Sequence, residues 1–594
     1  MQSLRPRLGA AAAVAALSLV ATAVASSPAQ AHGKPPAPKT VTVNLIALND
    51  FHGAIDPPVG SGGLVNGTPA GGVEYLATAV RTIRAAQELE SPHSFTVAAG
   101  DLVGATPLVS AAFHDEPTVE EMNALGLDVT SVGNHEFDEG VTELLRLQDG
   151  GCHPVDGCQD GDGFAGADYP ILAANVVSKT THRPILAPYT IKKVGGVKVA
   201  FVGMTLEGTP GIVNPAGITT VDFLDEAATA NRYAHVLRHK GVRSIVLLLH
   251  EGGAQSGTPP LNPSGCTGFS GAVTGIVSQL DPAYGVVVSG HTHQSYACQL
   301  PNSSGKNTLV TSAGSNGTLL TDIGITIDKR SKKIVASEAH NVVVENGVRN
   351  PDGTWQTLPG GAFVRNPATV DPTAKVIADK YRTAVAPIAN RVVGSITADI
   401  VRTQNAAGES PLGDVIADGM VAYTAAAGGQ IGLMNPGGIR APLTYANSPG
   451  GEAPGQVTYG EVFTVQPFNN LVVTVTLTGA QLKEVLEQQF VGYAGQTTTK
   501  ILQVSAGFAY TWSPTAPLGS RVTALTLNGT PIDPAATYRV STNDFLANGG
   551  DGFTNLTVAT NRTTAPGFDV DALAAYLNPG PIAPGSANRI TLAP

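Results

Sequence analysis

Short apolar, β-branched runs recur along the first half of the chain, at residues 41–48, 95–98, 199–202, 245–249, 286–288 and 309–311. Each reads as a buried strand. Helical patterns lie between several of them, over residues 72–90, 117–125 and 225–240. Strands alternating with helices predict an α/β layered domain. It closes near residue 345, after a hairpin over residues 320–339. A Gly/Pro-rich irregular stretch, residues 350–366, comes next. Asp371-Pro372 then supplies an N-cap and a first-turn proline for a helix over 371–386. That helix is a candidate connector and hinge. The remainder has its own strands, 471–477 and 538–541, and a helix at 479–489. The predicted organisation is a first domain over 41–345, a linker helix within 366–390 and a second, α+β domain over 391–594.

Composition agrees with this division. A chain of 594 residues is too long for one ordinary core. With 42 % apolar and 14 % charged residues it is foldable rather than disordered. Arg5 and Arg7 precede an apolar run over residues 8–25, and Ala29-Gln30-Ala31 follows. This order predicts a cleavable export signal over residues 1–31 and a secreted product. An uncleaved anchor fits less well, because the run is Ala-rich and short of the usual ~20 strongly apolar residues. No later segment reads as a membrane span. The net charge is −11, and removal of residues 1–31 with their two arginines takes it to −13. That sign argues against a nucleic-acid polymer as partner. An anionic substrate would need local positive charge from metals or a few arginines. The four cysteines, at 152, 158, 266 and 298, predict disulfides in an exported chain. Nearest pairing gives Cys152–Cys158 and Cys266–Cys298, other pairings being equally open to the sequence.

Five motifs stand at predicted strand ends. They are Asn49-Asp50-Phe51-His52-Gly53, Gly100-Asp101-Leu102-Val103-Gly104, Gly133-Asn134-His135-Glu136-Phe137-Asp138, His250-Glu251 and Gly290-His291-Thr292-His293. Taken singly most are turns. Taken together, each after a strand, they place polar donors where α/β layers gather ligands. Carboxylate oxygen with imidazole nitrogen suits zinc, manganese, iron or cobalt.

The set resembles the calcineurin-like metallophosphoesterase signature, and the whole is similar to the 5′-nucleotidase / UDP-sugar hydrolase family. The resemblance implies a four-layer sandwich domain carrying two divalent metal ions. Asp50, His52, Asp101 and His293 would hold one ion. Asp101, Asn134, His250 and His291 would hold the other, with Asp101 bridging. A hydroxide activated between the ions would attack phosphorus. His135 would be the catalytic histidine, its ring oriented by Asp138.

In the second domain, Asn435-Pro436-Gly437-Gly438-Ile439-Arg440, Gln466-Pro467-Phe468-Asn469 and the run from Asn543 to Phe553 put a cation and two phenylalanines in polar loops. These segments resemble the family's nucleotide-binding loops. The resemblance implies that Phe468 and Phe545 sandwich a base, that Asp551 binds ribose hydroxyls, and that Arg440 and Asn435, on the turn that includes Gly438, contact phosphate or ribose. Several relatives carry Arg where this chain has Gly408, with Arg402 upstream. The implied activity is hydrolysis of nucleoside 5′-phosphates. Cyclic nucleotides, nucleotide sugars and dinucleotides are alternatives on the same scaffold. A secreted nucleotide-binding protein without turnover is the alternative from another class, and it would not need Asp50 or His135.

Overall fold

The computed structural model describes residues 39–593, apart from 59, 160, 359–361, 497 and 579. The expected export signal lies outside them.

Two six-stranded sheets face each other in the first part of the chain. One runs, edge to edge, through Lys333–Val343, Leu319–Asp328, Thr40–Leu48, Ser94–Ala99, Val129–Ser131 and Ile171–Leu172. The other runs through Ser295–Pro301, Asn307–Ala313, Tyr284–Ser289, Ser244–His250, Val197–Thr205 and Tyr189–Val194. Valine, isoleucine, leucine and phenylalanine from both sheets fill the space between them, among them Val43, Leu45, Val97, Phe201, Val246, Leu248, Val286 and Ile325, all fully buried. Strands covered on both faces have no polar alternation to show, which is why they read as continuous apolar runs. The helices Glu226–His239 and Ala272–Gln279 cover the second sheet, and Val73–Glu90 covers the first. The result is the four-layer arrangement.

The central strands of each sheet are parallel. Their carboxyl ends therefore emerge on one edge, with three turns from the first sheet and two from the second. Parallel pairing sets that convergence, since Leu48 is level with Ala98 and Ala99 with Ser131.

The connector is the helix Pro372–Ala389, capped by Asp371, whose carboxylate accepts from Thr373 and Ala374 N–H. It passes the expected stop at 386, because Pro387 falls in the last turn. Its buried face, Ala374, Ala378, Tyr381 and Val385, belongs to one continuous apolar core shared with both flanking parts. Arg382 pairs with Asp56 and Glu74 at 2.6 Å each, and Phe113 meets Tyr381 edge-on at 4.9 Å. The helix is thus tied to the first part along its length.

In the second part, a five-stranded sheet orders Gln503–Val504, Ile431–Met434, Thr537–Asn543, Leu471–Thr478 and Thr560–Phe568. Ile431–Met434 runs parallel to Thr537–Asn543, and Leu471–Thr478 antiparallel to it, with Val472 opposite Asn543. The segments carrying Asn435, Phe468 and Phe545 consequently leave the sheet at the same edge. Cysteines 152 and 158 are bonded, as are 266 and 298.

Candidate active site

The five strand-end turns bring the seven candidate ligands together. Asp101 lies between two donor sets. On one side, His52 Nε2 is 3.8 Å from Asp101 Oδ2 and 3.0 Å from His293 Nε2, which is 3.4 Å from Asp50 Oδ1. On the other, His250 Nε2 is 3.0 Å from the same Asp101 oxygen and 3.2 Å from Asn134 Oδ1, which is 2.9 Å from His291 Nδ1.

The proton positions show what this arrangement fits. His52 Nδ1 donates to the Gly104 carbonyl at 2.9 Å, and His250 Nδ1 donates to the Ala99 carbonyl at 2.7 Å. His52 then turns its Nε2 toward the His293 Nε2 at 3.0 Å, two neutral rings facing each other, whereas the His250 Nε2–H donates to Asp101 Oδ2. Facing imidazole lone pairs repel unless a cation sits between them. A backbone carbonyl fixing the far nitrogen is the usual support for a ligating histidine. Burial pushes His52 and His291 down to about 3 and His293 well below its ordinary value, which keeps them as the neutral imidazoles that bind metals. Burial also lowers His250, but Asp101 and Asp50 overcome it and hold that ring up at about 10. These residues fit two divalent ions sharing Asp101.

Two glycines leave the room this requires. A Cβ at Gly133 would collide with Asp101 Oδ1 and approach His250 Nδ1 to 2.8 Å, and one at Gly290 would meet Asp50 Oδ2 at 2.9 Å. Glu136 binds the two turns together by accepting from the backbone N–H of Asp101, Leu102 and Gly133. Asn49 Nδ2 donates to Asp50 Oδ2 at 2.6 Å. Both lie inside the motifs, yet their spacing carries no sign of these contacts.

His135 stands beside the cluster. Its ring is 5.1 Å from that of His52, and its Nδ1 is 2.7 Å from Asp138 Oδ2. With Nδ1 engaged, Nε2 is the free atom. Burial acts to lower its pKa, but Asp138 and Asp101 outweigh it and the net shift is upward.

The second part of the chain reaches this centre. Phe468 stacks on His135, with centroids 5.7 Å apart and planes at 19°. The Arg440 guanidinium lies 5.8 Å from the Phe468 ring and bears electrostatically on His52, His135, His291 and His293. Arg402 and Arg440 line a cavity of about 370 Å³ with His52, His293 and Asn316. Neither arginine has a carboxylate partner among the described residues.

Residues 43–295 match the calcineurin-like phosphoesterase family, and residues 392–558 match the 5′-nucleotidase C-terminal domain. A cell wall protein of Listeria monocytogenes is 32 % identical over 91 % of this chain and 67 % of its own length. The chain belongs to the 5′-nucleotidase family of metallophosphoesterases. A protein of Bacillus subtilis named as an endonuclease is 33 % identical over 85 % of this chain, which spans 37 % of that protein's length. The solved 5′-nucleotidase precursor of Thermus thermophilus superposes over 93 % of this chain and 99 % of its own, at 27 % identity and a TM-score of 0.73.

In this 5′-nucleotidase-family chain, Asn435, Asn543 and Asp551 form a second cluster. Asn435 Nδ2 donates to Asp551 Oδ2 at 2.8 Å, and Asn543 Nδ2 to Asn435 Oδ1 at 3.1 Å. Lys500 pairs with Asp551 Oδ1 at 2.8 Å. Nothing in the Thr-rich run before Lys500 marks it. Phe545 packs over Gly550, where a Cβ would meet its ring at 2.5 Å. Gly438 sits in the turn after Asn435, where a Cβ would crowd Asn435 Oδ1 at 3.0 Å. Gly408 has a left-handed φ of 88°, and a Cβ there would press on Ile501. An arginine does not fit that position, and Arg402, six residues upstream, donates to the Ile439 carbonyl at 3.0 Å.

Proposed function

We propose that this chain is a secreted, metal-dependent nucleotidase that hydrolyses nucleoside 5′-phosphates to nucleoside and phosphate. The observation that carries the reading is Asp101 between two histidine-rich donor sets, with Arg440 and Phe468 of the second part facing them. Asp50, His52, Asp101 and His293 would hold one divalent ion, and Asp101, Asn134, His250 and His291 the other. Bound there, two such ions supply a water acidified to the neutral range and positive charge against the phosphoryl oxygens. We also propose the division into domains at 41–345 and 391–594, with the linker helix within 366–390.

The chain's own residues do the rest. Arg440, and Arg402 beside it, neutralise phosphate in the cleft they line. His135, its Nδ1 fixed by Asp138, presents Nε2 to the phosphoryl group or the departing oxygen. Phe468 offers a face for a base, and the Asn435–Asp551 cluster offers a carboxylate to ribose hydroxyls. A net charge of −11 disfavours a polymeric nucleic acid.

A second reading rests on Arg402. It also lines an adjoining cavity of about 350 Å³ with Thr403, Gln404, Ser410 and Pro436, which favours substrates with a second phosphate, such as nucleotide sugars or dinucleotides. Initial rates on adenosine monophosphate, 2′,3′-cyclic AMP, UDP-glucose and NAD test both. The first reading expects the monophosphate to give the highest kcat/KM. A higher value for a diphosphate ester would replace it with the second.

A further inference from the structure

A second set of metal-type side chains lies outside this site. His114, Glu139 and His153 each offer one ligand atom within 4.8 Å of the others. They come from three separate segments. His114 occupies the turn before the helix Glu116–Leu125, Glu139 follows Asp138, and His153 lies in the loop closed by the disulfide Cys152–Cys158.

The geometry has the signature seen at the main centre. The two imidazoles stack with centroids 3.7 Å apart and planes at 12°. Asp156 Oδ2 is 2.9 Å from His114 Nε2 and 3.3 Å from His153 Nδ1. With Asp156 accepting the His114 Nε2 proton, Nδ1 lies 3.2 Å from Glu139 Oε2, whose hydrogen bond holds the ring up at about 8, so that a proton occupies the place a cation would take. Two lone pairs at that distance need a proton or a cation between them. The rings are largely covered, with side chains 18 % and 15 % exposed, while Glu139 and Asp156 are about half exposed and leave an entry path. His114 is held in a left-handed conformation, φ 50°, an unfavourable backbone that aims its ring into the group.

We propose that His114, Glu139 and His153 bind one further divalent cation of the zinc class, with Asp156 orienting His114. Two imidazoles with a carboxylate are a borderline-soft donor set that suits zinc, with a remaining position for water. The cation would tie the disulfide loop to two segments that serve the main centre. Glu139 adjoins Asp138, which holds His135. His114 adjoins Asp115, whose carboxylate binds Gly104 N–H at 3.1 Å, and Gly104 in turn accepts from His52.

Metal content distinguishes this site without any assay of activity. The chain is stripped with chelator, dialysed against zinc and its metal counted by mass spectrometry. Wild type should retain three equivalents, and His153→Ala two. Glu139→Gln, which keeps the side chain's shape, should weaken the third equivalent at least tenfold in a zinc titration while the other two persist. The third equivalent should also raise the melting temperature of wild type and not of His153→Ala. A wild-type count of two, or a third equivalent that survives both substitutions, would overturn the proposal.

Discussion

Asp50, His52, Asp101, His291 and His293 all sit at positive φ, between 48° and 68°. Such a backbone costs a non-glycine residue roughly 1–2 kcal/mol. Asp and His tolerate it better than most, and the gathering of five around one point marks a place where geometry is held against local preference. The candidate ligands were legible in the sequence as residue types in order, and the structure brings them together. The left-handed turns were not legible, nor was Glu136 as the carboxylate that staples two of them together, because neither leaves a periodic pattern. Two predictions belong at this scale. His135→Ala should lower kcat by about 10²–10⁴-fold, with metal content unchanged, since its Nδ1 is committed to Asp138. Parallel loss of metal would make it a ligand instead. Phe468→Ala should raise KM about 5- to 150-fold, the range of a lost base stack. It should also lower kcat, because the same ring packs on His135. Steady-state kinetics on adenosine monophosphate read both numbers, and an unchanged KM removes Phe468 from the base site.

Elements were legible where pattern and tertiary role agreed. Thr40–Leu48, Ser94–Ala99 and Ser244–His250 run one or two residues beyond the apolar stretches that predict them. The helix Pro411–Tyr423 escaped notice. It carries Gly413 and Gly419 and is buried over most of its surface, so it has no polar face to give a helical period. The 350–366 stretch, irregular in sequence, is held by isolated bridges, Arg349 to Trp355 and Thr357 to Phe363. Nearest pairing gives both of the observed disulfides, though the sequence alone could not fix it, because pairing depends on which loops meet. Cys298 lies in the edge strand Ser295–Pro301, directly after the His291–His293 turn, and its bond to Cys266 spans 32 residues. Replacing both cysteines by serine should cost about 3.7 kcal/mol, the loop-closure entropy for that span. Urea denaturation measures it, and a loss under ~1 kcal/mol would contradict the loop-entropy account.

For the whole molecule, the sequence predicted two parts brought together by motion about a connector. The two parts already meet in this structure, Phe468 on His135, and the connector is bonded to the first part along its length. Glu121 lies in the same region, 1 % exposed, and burial pushes its carboxyl up to about 9. A carboxyl raised in the fold stabilises most below its unfolded value of 4.5, and that contribution is lost as pH rises toward about 9. Glu121→Gln should therefore raise the melting temperature at pH 8 more than at pH 5. Equal shifts at both would show that Glu121 is not held protonated.

The central claim is that two ions sharing Asp101 make this cleft a phosphoesterase for nucleotides. Phosphate release from adenosine monophosphate, measured on chelator-stripped protein as manganese or zinc is restored and bound metal is counted, tests it most directly. Release should be absent in the stripped protein and return as the seven-ligand centre fills. Full activity after stripping, or bound metal with no release from any nucleotide, would contradict the account.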